Sequence, residues 1–303
     1  MERFIYNKTK SFIVYRGKRY YVDHDGLMLD GNENVWNNYV NDIEEIQGLS
    51  KLSHLRYLYL CTNNIAEIKC LENLFNLQHL YLRWNKIKHL KGLENLRELM
   101  TLDLVGNQIT KIEGLDNLTK LDVLKLGLYY PGGGNLIVEI EGLDSLENLY
   151  SLDLSNNKIK EIKGLDNLVN LRELYLNNNQ IQEIKGLDRL KKLKHLDLGG
   201  NQIKEIENLD SLDNLSFLDL SQNRISEVNG LSNLKNLTHL FLFQNKINRI
   251  KSGALDNLKR LQHLLLEDNV LTNIFELLKL KLESPLTVTL DLEKIPQAQI
   301  ENL

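Results

Sequence analysis

Asp197 and Asp219 are separated by a step of 22 in the sequence, each set in the tripeptide Leu-Asp-Leu, and Asp103 and Asp153 occupy the same tripeptide. Where a fold brings such carboxylates side by side, their repulsion raises one pKa, a condition for acid–base chemistry. Further on, His239 and His263 are followed by Glu267 and Asp268, donor types that can clasp zinc. Cys61 and Cys70 are the only cysteines, a poor basis for a disulfide framework and ordinary for a reducing cytosol, so free thiols are expected. The run Gly132-Gly133-Gly134 has no Lys-Ser or Lys-Thr behind it and does not read as a phosphate loop.

What must position these side chains is a repeat. "LRYLYLCTNNIAEI" from Leu55, "LQHLYLRWNKIKHL" from Leu77 and "LMTLDLVGNQITKI" from Leu99 follow one another at a constant step of 22. The frame L-x-x-L-x-L-x-x-N-x-I-x-x-I resumes at Leu149, Leu171, Leu193, Leu215 and Leu237, with a last copy at Leu261 after a two-residue stretch. One asparagine recurs per copy (Asn63, Asn85, Asn107, Asn157, Asn179, Asn201, Asn223, Asn245, Asn269), and counting back 22 from Asn63 reaches Asn41, so a partial copy precedes the first full one. In L-x-L the leucines turn to one face of a short strand and the residue between them to the other. No single copy can bury its leucines, but stacked copies form a continuous core and a parallel sheet. The asparagines can pair backbone groups that the turn after each strand leaves open, forming a ladder.

This frame resembles the leucine-rich repeat family, and its I-x-x-I-x-G-L spacing is similar to the 22-residue subclass that includes the type-1 protein phosphatase regulator and the bacterial internalins. The wording "EIKGLDNL" (161–168) is similar to leucine-rich repeat proteins encoded by Asgard archaea. The resemblance spans roughly Asn41 to Ile274 and implies an α/β solenoid: a curved horseshoe with a parallel sheet on its concave face and short helical or extended convex segments. It implies a protein-binding module without cofactor or metal. The internalins' helical N-terminal cap and the phosphatase regulator's Asn-Pro and Tyr-Arg C-terminal signature are both absent here, so those families' particular partners are not carried over.

Three domains are expected: an N-terminal β-hairpin-like cap over 1–40, a solenoid over 41–274, and a C-terminal helix–strand cap over 275–303. "SFIVYRGKRYYVDHDGLMLDG" is β-prone and broken at Arg16-Gly17 and Asp25-Gly26; "IFELLKLKLESP" reads as a helix stopped by Pro285, and "TVTLDL" as a final strand. Within the solenoid, Leu121 to Leu149 is a step of 28 instead of 22, so an excess of six near 128–133 is expected to loop out at the concave rim. There Tyr129 and Tyr130 could form a contact lip stiffened by Pro131, or the insertion could be a tolerated surface loop.

With the register fixed, the outward strand positions can be read in columns about 4.8 Å apart. Tyr57, Tyr59, Tyr81, Arg83 and Trp84 gather at the N-terminal end; Phe217, Phe241 and Phe243 gather at the other, with Tyr175 between. Asp103, Asp153, Asp197 and Asp219 form the middle, read as an acidic stripe in an open, wet groove and suited to a basic partner. Such aromatics have no packing need at outward positions and are the types enriched at binding hot spots, although neighbouring-strand contacts can also favour them. The histidines His79, His195, His239 and His263 share one column and read as polar surface rather than a zinc site.

The net charge of −4 argues against nucleic acid, no apolar run approaches the ~20 residues that span a bilayer, and the N-terminus shows no secretory signal. The expected function is non-enzymatic and cytoplasmic: binding a partner protein or peptide, with a basic and apolar surface, through the concave face. The alternatives are a scaffold acting through the convex face and caps, and a hydrolase or metal site in the Asp/His region. Oligomeric state is open.

Overall fold

The computed structural model describes residues 11–22, 25–29, 39–128, 134–283 and 285–300. Each Leu-x-Leu becomes a three-residue strand, and twelve strands stack into one parallel sheet, from Gly26–Met28 through Tyr57–Tyr59 and His79–Tyr81 to His263–Leu265 and Thr287–Thr289. The register never slips: Leu27, Leu58, Leu80, Leu102 and Leu124 pair in turn, and the line runs on to Leu264 and Val288. A one-residue slip would turn every leucine to solvent, so the core enforces this alignment.

The core is a column of side chains repeated along the solenoid. In one copy Leu80, Leu82, Ile87, Leu90, Leu93, Leu96 and Leu99 are all fully buried. Each such side chain contributes ~1.5–3 kcal/mol relative to exposure. So short a coil leaves the convex side room only for tight turns, closed by bonds such as Leu74 N–H to Leu71 O at 2.9 Å and Leu77 N–H to Leu74 O at 3.0 Å. One added pair of short parallel strands, Glu227–Val228 with Arg249–Ile250, lies outside the main sheet.

Two features lock coil to coil. Gly92 has φ +83°, and a Cβ there would fall 2.2 Å from the Ile68 carbonyl oxygen in the preceding coil, so this bend admits no larger residue without a shift. Where the equivalent bend carries Asn208, at φ +57°, its amide donates to the Ile184 carbonyl at 2.8 Å. The recurrent asparagines form the second lock. Asn85 accepts the backbone N–H of Ile65 at 2.9 Å through Oδ1, while its Nδ2 donates to the carbonyls of Leu60 at 2.8 Å and Leu82 at 3.0 Å. Asn107, Asn157, Asn179, Asn201, Asn223 and Asn269 repeat the pattern. Asn135 makes the same bonds although its own-coil partner, Leu126, lies nine residues away instead of the usual three, which locates the six-residue excess between them.

The ladder begins at Asn63, which accepts from Val40 N–H at 2.8 Å and donates to Leu29 O at 2.8 Å. Asn41 is not a rung: it is exposed and accepts from the Asn64 amide at 3.2 Å. The reason is that the first coil is longer than the rest, running from Leu27 to its partner Leu58, so counting back 22 misses its start. Its strand, Gly26–Met28, lies inside the segment assigned to the cap. The hairpin Phe12–Tyr15 with Lys18–Tyr21 turns at Arg16 and Gly17 and buries Ile13 and Tyr15 against the first leucines. At the far end Phe275–Leu278 makes a single helical turn and Thr287–Thr289 adds the last parallel strand.

Candidate binding face

The described partner-contact positions expected from the sequence lie on the concave sheet or at its exit. Tyr57, Tyr59, Tyr81, Asp103, Asp153, Tyr175, Asp197, Phe217, Asp219 and Phe241 stand on the strands; Arg83 and Phe243 follow them, and Trp84 is one residue further, at φ +55°. Tyr129 and Tyr130 lie outside the described residues.

The aromatics form two arrays. In the N-terminal one, Tyr59 and Tyr81 stack with centroids 4.6 Å apart and planes 4° from parallel, and Tyr57 stacks on His79 at 4.5 Å. These distances are the strand spacing itself, so the sheet dictates the stacking. Beside them a cleft of about 630 Å³ opens between the hairpin and the sheet, lined by Tyr20, Tyr21, Asp25, Gly26, Leu27, Met28, Tyr57 and Tyr59. In the C-terminal array His195 stacks on Phe217 at 4.1 Å, Phe217 meets Phe241 edge-on at 5.0 Å, and His239 stacks on His263 at 4.6 Å. The rings of both arrays are half-buried, so part of each surface is covered by its neighbour and part faces the groove. Trp84, at 43% exposure, is the most open of the described proposed contacts.

Three models of leucine-rich repeats match the chain, over residues 138–181, 169–211 and 191–296. The chain is a leucine-rich repeat protein. Its fold is similar to that of an internalin (inlF) from Listeria monocytogenes, at 26% identity and a TM-score of 0.64, covering 88% of this chain and 86% of that one. It is also similar to a leucine-rich repeat protein of Leptospira interrogans, at 29% identity and a TM-score of 0.70, covering 80% of this chain and 62% of that one. No curated protein sequence matches the chain.

The aspartates of this leucine-rich repeat sheet depart from the expected open, wet stripe. Asp103, Asp197 and Asp219 are buried and Asp153 is half-buried. They do face the groove, but flanking side chains on strands ~4.8 Å away crowd over so short a residue. Each carboxylate is held from below: Asp103 accepts Val105 N–H at 3.2 Å, Asp153 accepts Ser155 N–H at 2.9 Å, Asp197 accepts Gly199 N–H at 2.9 Å, and Asp219 accepts Ser221 N–H at 2.8 Å. Aspartate in Leu-Asp-Leu therefore closes the strand exit in those coils, a structural role its spacing did not disclose. Burial pushes the Asp153 carboxyl up to about 6, and burial together with neighbouring Asp219 pushes Asp197 up to about 7. Arg83 Nε lies 3.4 Å from Asp103 Oδ2, and the exposed Lys125 stands between Asp103 and Asp153. The stripe is thus weaker in charge than four free carboxylates.

Three histidines of the column, His79, His195 and His239, are held toward the neutral form. Burial, with His239 nearby, lowers the His195 pKa to about 4, and burial lowers His79 and His239 as well. His239 Nδ1 is within 2.9 Å of Thr238 Oγ1, and its ring stacks on His263. Among the described residues no three His, Cys, Asp or Glu side chains gather as a metal site. Sequence reasoning missed Tyr20, Tyr21 and Met28, which line the N-terminal cleft; the available signal was the Leu27-Met28-Leu29 tripeptide, an L-x-L unit out of period.

Proposed function

We propose that the concave face binds a partner protein or peptide without catalysing a reaction on it. The observation that carries this is the pair of half-exposed aromatic arrays held at fixed separations by a rigid sheet. Side chains preorganised in this way lose little entropy on binding and belong to the types that dominate interface energetics. Leucine-rich repeat architecture supports an interaction role at the level of the fold, and the aromatic arrays are the reason for assigning that role to the concave face in this proposal. The partner's contact surface is apolar with a basic component, and the cytoplasmic setting belongs to the same proposal, resting on sparse cysteine use.

Affinity capture from native cells tests the reading, with four baits: the wild-type chain, the concave variants Tyr59→Ala/Tyr81→Ala and Phe217→Ala/Phe241→Ala, and the convex variant Lys204→Glu. A partner retained by wild type and Lys204→Glu but lost from the concave variants supports it. A partner lost only from the convex variant would instead establish the scaffold reading.

A further inference from the structure

We infer that Asp197, Asp219 and Asn177, around Gly199, form a seat for the ammonium group of a partner's lysine. This rests on the proposal that the concave face binds a protein, and it names the chemistry of one contact.

Gly199 has no side chain, and the space a Cβ would take there is ringed by oxygen: Ser221 Oγ at 3.2 Å and the Oδ1 atoms of Asp197 and Asp219 at 3.3 Å each. Asn177 adjoins Gly199 in the neighbouring coil, as the Asn178 N–H to Gly199 O bond of 2.8 Å shows. Its Oδ1 is buried with no hydrogen-bond partner, and the residue is 3% exposed. A buried acceptor left unpaired calls for an explanation, and a donor supplied from outside is one.

The donor count fits an ammonium. Backbone N–H groups of Gly199 and Ser221 occupy one oxygen of Asp197 and of Asp219. A carboxylate oxygen has two lone pairs, so the two Oδ1 atoms beside Gly199 keep acceptor capacity beyond the backbone N–H each takes, and with Asn177 Oδ1 they make three acceptors for the three N–H bonds of –NH₃⁺. A compact point charge suits a notch one residue wide, whereas the planar fork of a guanidinium does not. Half-buried Tyr175, Phe217 and Phe241 wall the approach and offer apolar surface to a methylene stem. The mutual repulsion of Asp197 and Asp219 would be relieved by a cation between them, consistent with the raised Asp197 pKa.

The test is two-dimensional NMR of the full chain, titrated with n-butylammonium chloride as a lysine side-chain probe, with sodium chloride and calcium chloride at matched ionic strength. Saturable shifts of the Asn177 side-chain amide and the Gly199 and Ser221 backbone amides are expected with butylammonium alone. Affinity should fall at least tenfold in Asp197→Asn and Asp219→Asn, which keep an oxygen for the backbone N–H. Gly199→Ala, which fills the notch and leaves both charges, should lose binding too and serves if either Asn variant folds poorly. The absence of saturation, equal effects of sodium or calcium, or binding unchanged in all three variants overturns the proposal. Such a failure leaves partner capture through Tyr59, Tyr81, Phe217 and Phe241 untouched, so the two readings fall separately.

Discussion

The indole of Trp84 lies directly against Gly106 of the next coil: a Cβ added at Gly106 would fall 2.3 Å from Trp84 Cε3 and 2.7 Å from Cδ2. Gly106 also has φ +68°, in a column of left-handed residues at the strand exits that includes Thr62, Trp84, Asn178 and Gln222. Gly106→Ala should therefore destabilise the fold by ~1–3 kcal/mol through overpacking, plus a backbone penalty of ~1 kcal/mol. In Trp84→Ala/Gly106→Ala the overpacking disappears and the backbone part stays. Denaturant unfolding of the single and double variants measures both; equal losses in the two would show that Trp84 is not the obstacle.

Asn179 accepts Ile159 N–H at 3.0 Å and donates to the Leu154 and Leu176 carbonyls at 3.0 Å each. Its replacement by alanine leaves buried backbone groups unpaired, and a loss of ~1–3 kcal/mol is expected. The adjacent Asn178 is half-exposed but left-handed, at φ +56°. Asn178→Ala should cost ~1 kcal/mol and Asn178→Gly a few tenths at most. Melting temperatures in the order wild type, Asn178→Gly, Asn178→Ala, Asn179→Ala check the ladder and the backbone argument together.

A carboxyl whose folded-state pKa is raised binds its proton more tightly when folded, so its stabilising effect is complete below the unfolded value and fades as pH climbs through the folded one. For Asp197 the window runs from the ordinary carboxylate range near 4 up to about 7. Asp197→Asn removes this contribution while keeping an acceptor for Gly199 N–H. The stability difference, wild type minus variant, should fall steadily from pH 4 to pH 7. A flat difference across that range would place the Asp197 pKa at its ordinary value.

Deleting residues 128–133 restores the three-residue step from Leu126 to the ladder asparagine, Asn135, found in the other coils. Shortening a loop changes closure entropy by only tenths of a kcal/mol, so the deletion variant should fold with a melting temperature within a few degrees of wild type. Loss of partner binding in that folded variant would assign Tyr129 and Tyr130 to the interface. Circular dichroism melts and the capture experiment supply the two readouts.

The repeat frame was readable because burial demanded the same residue types at a constant step: Leu80, Leu102 and Leu124 are alike because each meets the next in the core. The outward columns followed from that register. What was not legible had no period or had two uses. Gly26–Met28 joins the sheet out of step with the frame, because the chain between Leu27 and its partner Leu58 is longer than one repeat. Asp197 looks like a surface charge in sequence, yet its carboxylate fastens the strand exit and is covered by its neighbours. The left-handed column mixes Trp84, Asn178 and Gln222 with Gly106 and Gly200, and the two glycines were its only sequence trace.

The asparagine ladder also fixes how the molecule answers to pulling. Every rung ties a coil to the one before it and to nothing more distant, as Asn223 ties to Ile203 and Leu198 and Asn201 to Ile181 and Leu176. Among the described residues, tension applied through the two ends meets no ladder bond spanning several coils. It concentrates on whichever terminal coil has the fewest neighbours, detaches that coil, and moves the load to the next. The leucine-rich repeat chain is in this respect a zipper, releasing length one coil at a time and able to re-engage from any coil still closed.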